Sequence, residues 1–279
     1  KFAFNVDFPL WKDILKTSWP FWLSVVFIQL YFQIDTVMLS FMKGYEATGL
    51  YNAAYKLISI IAKIPWIFIL VLFPVMSELY ANASKKPLKM ILERGMHAMA
   101  VISLPLIAGT VLLADRIIFF IYKEGFEEST IVLQILILTT FFIFLSNIIG
   151  WFLNATNMQK IFTYSTGISL IINVILNMML IPYLSYIGAS IATVITAAIN
   201  FLLLYYFNVK SSYYVNVLKV AAKPLTASVA MGTFIFLFGK WMQLFVLVPL
   251  SAILYFLLLA LMRDITKDDF KGIFDREKV

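Results

Sequence analysis

Eight stretches of this chain, at residues 17–41, 49–77, 95–114, 129–153, 161–181, 187–209, 220–238 and 242–262, are apolar over the roughly 17 to 25 residues that a helix needs to cross a bilayer. Inside hydrocarbon every backbone N–H and C=O must find its partner within the protein, so such runs fold as spanning helices. The rest of the composition agrees: of 279 residues 62% are hydrophobic and 13% charged, with a mean hydropathy of +0.91, outside the range of soluble domains. The expected fold is an all-α, polytopic membrane helical bundle of about eight transmembrane helices.

The loops test that count. Lys1, Lys12, Lys16, Lys85, Lys86, Lys89, Arg94, Lys160, Lys210, Lys219 and Lys223 fall in the N-terminal segment and in alternate loops, and Arg263, Lys267, Lys271, Arg276 and Lys278 in the tail. The opposite loops carry only Lys43, Arg116, Lys123 and Lys240. By the positive-inside rule both termini are expected in the cytoplasm, and the protein is expected as a multi-pass component of the cytoplasmic (inner) membrane. The net charge of +7 therefore reflects topology, and no nucleic-acid partner is expected. Residues 78–94 read as a basic interfacial helix in contact with membrane lipids, or as a solvated loop, and residues 115–128 as an acidic external loop.

Three charges lie well inside the first two of these runs: Asp35, Lys56 and Lys63. At membrane depth each costs about 2.5 to 3.5 kcal/mol even on lenient insertion scales, so they imply a polar interior and a transporter or channel. Asn52, Lys56, Ser59 and Lys63 follow one another at helical spacing and form one stripe of the second span. Lys56 is near enough to the outer end of its helix to snorkel, whereas Lys63 lies about 15 Å from either surface of a ~30 Å core. On the first span Gln29, Gln33, Thr36 and Ser40 form a polar face, and Asp35 points away from it.

Counting outward from each span's midpoint at 1.5 Å per residue, Asp35 and Asn177 lie about 9 Å out, Asn173 about 3 Å and Thr193 about 7.5 Å. These four occupy one layer. A carboxylate among amide and hydroxyl oxygens suits a hard cation such as sodium, while Asp35 alone suits a proton. The alternatives are helix-to-helix hydrogen bonding by the asparagines and an ion pair between Asp35 and Lys56. Prolines 20, 65, 105, 224 and 249 interrupt five spans, as they would in helices that rock or simply in membrane helices.

With no cysteine and one histidine, thiolate chemistry, disulfides and His-cluster metal sites are excluded. No Gly-rich phosphate loop, HExxH or GxSxG occurs, so no catalytic residue and no resident cofactor is expected. His97 reads as an interfacial residue, and Asn147 and Asn154 as lining or packing residues.

The runs QIDTVMLSFMKGYEATGLYNAAYKL (33–57), LFPVMSEL (72–79), IYKEGFEESTIVLQIL (121–136) and IPYLSYIGASIATVI (181–195), in that order, resemble polysaccharide-biosynthesis flippases. These are the O-antigen and capsule lipid-linked oligosaccharide translocases of the multidrug/oligosaccharidyl-lipid/polysaccharide exporter (MOP) superfamily. The resemblance runs from about residue 19 to 209 and implies a division into a cytoplasmic segment (1–16), a six-helix transporter lobe (17–209), two additional transmembrane helices (210–262) and a charged cytoplasmic tail (263–279). Family members have two such lobes around a central cavity, so the resemblance implies a partner, either a missing N-terminal lobe or a second copy of this chain.

The resemblance further implies a membrane flippase that moves a polyprenyl-pyrophosphate-linked oligosaccharide by alternating access, coupled to a cation gradient. In the related lipid II flippases a sodium site uses an acid, an i, i+4 polar pair and a threonine at positions that fall here on Asp35, Asn173 with Asn177, and Thr193; the second member of the pair is an acid there and Asn177 here. Substrate contact would pass to Lys63, Lys56, Asn52, Ser59, Gln29 and Gln33. The alternatives are a multidrug exporter of the same superfamily, exchanging an organic cation for H+ or Na+, and an integral membrane glycosyltransferase or polymerase. For the last of these the loops are too short to hold a catalytic domain.

Overall fold

A computed structural model describes residues 7–211 and 213–262, and all the observations below refer to these. The tail at 263–279, residues 1–6 of the N-terminal segment, and Ser212 lie outside the described residues. Within them the chain is helical throughout: α1 (Phe8–Ile61), α2 (Ile64–Ala81), α3 (Lys85–Tyr122), α4 (Ser129–Leu136), α5 (Thr139–Ala155), α6 (Gln159–Lys210), α7 (Val217–Phe238) and α8 (Leu244–Leu261). Six helical segments among the described residues are long and apolar enough to cross a membrane, one running through α1 and α2 and another through α4 and α5. The protein is a polytopic membrane helical bundle.

Two of these helices are far too long to be single spans. At 1.5 Å per residue the 54 residues of α1 and the 52 of α6 would run about 80 Å, against a hydrocarbon core of about 30 Å. Each is broken once, at Gly44 (φ 83°) and at Ser185 (φ 50°), both with non-helical backbone. Side-chain bonds show that the chain doubles back there. Thr36 and Asn52, eight residues either side of Gly44, are hydrogen bonded at 2.9 Å, and Tyr55 donates to the Phe32 carbonyl at 2.9 Å. In α6, Ser169 donates to Asn200 at 3.2 Å across the Ser185 break. The two helices are therefore antiparallel hairpins of two legs each, and the six membrane-spanning segments resolve into eight legs. Glycine suits the left-handed backbone at Gly44 because it has no Cβ.

The turns of these hairpins are fastened to each other and to the neighbouring loop. Lys43 Nζ donates to the Pro182 carbonyl at 2.7 Å, and the Tyr186 hydroxyl donates to Glu128. Near the second turn Gly188 packs so tightly that a Cβ would lie 2.5 Å from the Leu180 carbonyl oxygen.

Proline acts differently in different helices. Pro105, Pro224 and Pro249 lie within continuous helices, but Pro65 follows a break at Ala62 and Lys63. Lacking an N–H, Pro65 gives nothing to the Ile61 carbonyl, and the turn tightens, with Lys63 N bonded to Ile60 O and Trp66 N to Lys63 O. Residues 78–94 correct the expectation of a separate interfacial helix. α2 runs to Ala81 and α3 starts at Lys85, so the basic residues form the first turns of a spanning helix, with Leu88 and Leu92 buried beneath them. Likewise α3 continues to Tyr122, through most of the expected external loop.

Three apolar clusters hold the bundle. One gathers α2, α3, α5 and the second leg of α6 around Met96, Met99, Phe144 and Phe152, all fully buried. A second joins α1, α3, α4 and α6 around Leu39, Tyr51, Ile118, Leu136 and Ile181. The third sets α7 and α8 against α3 through Met231, Leu247, Tyr255 and Leu259.

Candidate functional site

The two hairpins, α1 and α6, pack against each other, and a polar cluster sits between them. Asp35, on the first leg of α1, is 1% exposed. Its carboxylate accepts from the Tyr51 hydroxyl at 2.9 Å and the Thr193 hydroxyl at 2.6 Å on one oxygen, and from the Asn177 amide on the other. Tyr51 comes from the second leg of α1, Asn177 from the first leg of α6 and Thr193 from its second leg. One carboxylate thus ties together four legs. Hydrogen bonds to a charged acceptor are the strong ones, and three of them offset much of the cost of taking Asp35 out of water.

Asn173, one turn before Asn177, accepts from the same Asn177 Nδ2 at 3.1 Å. The amide nitrogen of Asn177 therefore stands between two oxygens, Asp35 Oδ1 and Asn173 Oδ1. That fixes which way both amides point, since turning either alone would set like atoms against each other. It also leaves two buried polar atoms without partners, Asn173 Nδ2 and Asn177 Oδ1, and the Tyr31 hydroxyl is buried without a partner as well.

The four residues predicted from depth to share a layer, Asp35, Asn173, Asn177 and Thr193, are brought into one network. Tyr51 was not foreseen. A tyrosine in a span reads as an interfacial belt residue, and the available signal was that a buried tyrosine hydroxyl needs a partner, with Asp35 at the same depth. Tyr51 is fully buried and stacked on Tyr55 at 5.4 Å between centroids. The expected alternative of an Asp35 to Lys56 ion pair does not form: Lys56 is exposed, and Asp35 takes its hydrogen bonds from uncharged donors.

A sodium ion fits this arrangement poorly. The Asn177 nitrogen already lies between two of the oxygens a cation would need, and the groups facing Asp35 present hydrogens to it. As bonded here, both oxygens of the carboxylate are met by uncharged hydrogen-bond donors.

The other predicted residues form a second, separate surface. Gln29, Gln33, Lys56 and Lys63 are exposed, and Asn52 and Ser59 are half-buried. The Thr36 to Asn52 bond joins the polar face of the first leg to the polar stripe of the second. The same register sets Gln33 level with Lys56 and Gln29 level with Ser59, to within a residue. Lys63 lies at the break before α2, where the Ile61 carbonyl has lost its helical donor. The result is an open polar face bearing two cations within otherwise apolar helices. His97 instead bonds the Val220 carbonyl at 3.0 Å, between α3 and α7, and Asn147 bonds back to the Ile143 carbonyl within its own helix.

Comparison with known proteins places this geometry in context. The family model described as polysaccharide biosynthesis protein matches residues 1–80. The chain is 25% identical over 186 residues to the probable flippase AglR of Haloferax volcanii, covering 65% of this chain and 39% of that protein. It is 23% identical over 170 residues to the probable low-salt glycan biosynthesis flippase Agl15 of the same organism, covering 61% and 36%. The chain thus spans well under half the length of these curated relatives. In fold it is similar to the lipid II flippase MurJ in an inward closed conformation, with a TM-score of 0.76 and 20% identity over 95% of this chain and 57% of that one. An outward-facing multidrug transporter of the MATE family matches with a TM-score of 0.60 and 15% identity, covering 80% of this chain and 54% of that one.

Proposed function

We propose that this chain, which belongs with the polysaccharide flippases of the MOP superfamily, forms one lobe of a transporter that moves a polyprenyl-pyrophosphate-linked oligosaccharide across the cytoplasmic membrane. The observation that carries this reading is the open face of Gln29, Gln33, Lys56 and Lys63 on a hairpin whose other side is locked to the bundle through Asp35. A lysine at membrane depth needs an anion, and a pyrophosphate head group supplies one. The glutamines, Asn52 and Ser59 suit sugar hydroxyls, while the polyprenyl tail stays in lipid. The same face, completed by a second lobe or a second copy of the chain, would enclose the central cavity. For a multidrug exporter, whose substrate is an organic cation, two lysines facing the cavity would repel the cargo.

Asp35 is the coupling residue in this reading, and the coupling ion is a proton. Protonated, Asp35 needs an acceptor, and Asn177 Oδ1 becomes one if its amide turns over. Asn173 then turns as well and donates through Nδ2 to the same oxygen. The two buried atoms that lack partners in the ionised network are thus the two that the protonated network uses. A proton taken up at Asp35 would reverse a chain of amides between the hairpins and shift the equilibrium between two packings of α1 on α6.

The test is Lys63→Ala and Lys63→Arg in the transporter complete with its second lobe. The alanine variant is expected to reach the membrane at normal levels and to lose export of surface glycan, with the arginine variant retaining part of it. Normal surface glycan with Lys63→Ala would overturn the reading.

A further inference from the structure

At the lysine-rich end of the bundle, Lys85, Lys86 and Lys89 together with Ser211 and Tyr213 line a pocket of about 300 Å³ between the start of α3 and the end of α6. The arrangement is electrostatically incomplete. Three lysines occupy the first turns of α3, the positive end of its dipole, where anions are favoured and cations are not. No acidic residue lies in that first turn, Ser84 does not cap it with its side chain, and none of the three lysines has an ion-pair partner among the described residues. Pro87 at the third helical position has no N–H, whereas Lys86 retains one that points out of the helix end. Ser211, which follows the end of α6 and donates its hydroxyl to the Asn208 carbonyl at 2.7 Å, forms part of the wall. Cationic side chains and a helix N-terminus converge on a space that no described residue fills.

The exposed side chains next to the lining residues bear on what enters the pocket. Tyr80 at the end of α2, which lies near the lining residue Tyr213, and Met90 and Tyr214, the chain neighbours of Lys89 and Tyr213, are 38%, 43% and 49% exposed. Amphipathic aromatic residues beside apolar ones are what the headgroup level of a bilayer favours, and basic pockets between helices at that level take phosphate-bearing headgroups. A soluble phosphate has no use for an apolar rim, whereas the acyl chains of a lipid do. We propose that this pocket is a binding site for the headgroup of an anionic phospholipid, with Lys85, Lys86 and Lys89 contacting the phosphodiester, and that the bound lipid relieves the repulsion at the start of α3. The site stands independently of the transport reading, since none of its residues belongs to the Asp35 network or the lysine face of α1.

The experiment uses the 279-residue chain purified in zwitterionic detergent. It is titrated with short-chain phosphatidylglycerol, with phosphatidylcholine of the same chain length, and with inorganic pyrophosphate, reading thermal stability and the lipid retained in native mass spectrometry. Phosphatidylglycerol is expected to raise the melting temperature and to be retained, and phosphatidylcholine is not. A lysine near an anionic surface contributes roughly a fivefold gain in affinity, so Lys85→Gln with Lys86→Gln and Lys89→Gln should weaken retention by tenfold or more. Ser84→Asp, which supplies a carboxylate at the start of α3, should stabilise the lipid-free protein and shrink the gain from phosphatidylglycerol. That variant keeps the test decisive if the triple substitution fails to fold. Equal retention of phosphatidylglycerol by the triple variant, or an undiminished gain in Ser84→Asp, would overturn the proposal. So would pyrophosphate binding as tightly as the lipid, which would assign the pocket to a soluble anion.

Discussion

Asn177 Nδ2 donates at once to Asp35 Oδ1, 142 residues away in sequence, and to Asn173 Oδ1, one turn away. A single amide therefore holds the place between two oxygens that a bound cation would hold. Replacing it with Asn177→Asp removes that donor and sets a second carboxylate against Asp35. Two carboxylates at that distance share a proton or recruit a cation. The stability of the Asn177→Asp protein is expected to depend on sodium or on pH, measured as melting temperature in sodium against choline chloride and across pH, while the parent shows no sodium dependence. A parent that melts higher in sodium would restore the metal reading.

Asp35→Asn and Tyr51→Phe separate the roles of charge and bonding. The asparagine can keep accepting from Tyr51 and Thr193 with Asn177 turned over, so this variant should fold, bind substrate and fail in coupled transport. Tyr51→Phe removes one bond to a charged acceptor and should cost about 1.5 to 3 kcal/mol in stability. Asp35→Asn combined with Lys56→Gln should behave as the sum of its parts, because the two side chains do not meet. Recovery of transport in that double variant would revive the ion pair.

The turn of the second hairpin leaves no room for a methyl group at Gly188. Gly188→Ala would place Cβ 2.5 Å from a backbone oxygen, an atom that cannot swing aside as a side chain does. A loss of about 1 to 3 kcal/mol is expected, seen in thermal melts in detergent. Gly109→Ala, whose Cβ would meet Met231 at 3.9 Å, is the control and should be close to neutral.

Ser84, before α3, and Ser185, at the turn of α6, lie at opposite ends of the bundle. With no native cysteine to confuse the readout, Ser84→Cys in intact cells should be shielded from an impermeant thiol reagent and Ser185→Cys should be labelled. The reverse pattern would invert the orientation taken from the lysine distribution.

Much of this was legible in sequence because the bilayer is a strict solvent. Span length, the distribution of lysines and the depth of Asp35, Asn173, Asn177 and Thr193 all follow from a rise of 1.5 Å per residue and a fixed hydrocarbon thickness. Depth, however, is one coordinate of three. It placed the four residues in one layer, but it offered no way to see that Tyr51 would turn inward while Lys56, five residues on, would face out. Nor did it show that the basic run at 85–94 would continue a spanning helix, since apolar Leu88 and Leu92 beneath lysines look the same whether buried against lipid or against protein.

The bond from Lys43 to the Pro182 carbonyl makes the two hairpin turns a fulcrum. With the turns fastened, one hairpin can swing on the other chiefly by opening at the far end, and a leg of about 20 residues is a lever some 30 Å long. A rotation of only about 10° would move the far ends about 5 Å apart, parting Ser24 from Thr163, whose hydroxyls are hydrogen bonded there at 2.7 Å, while the turns stay where they are. The Asp35 network lies part way along that lever, so in the proposed cycle a rearrangement of a few tenths of an ångström among its amides would be magnified at the lysine-rich end.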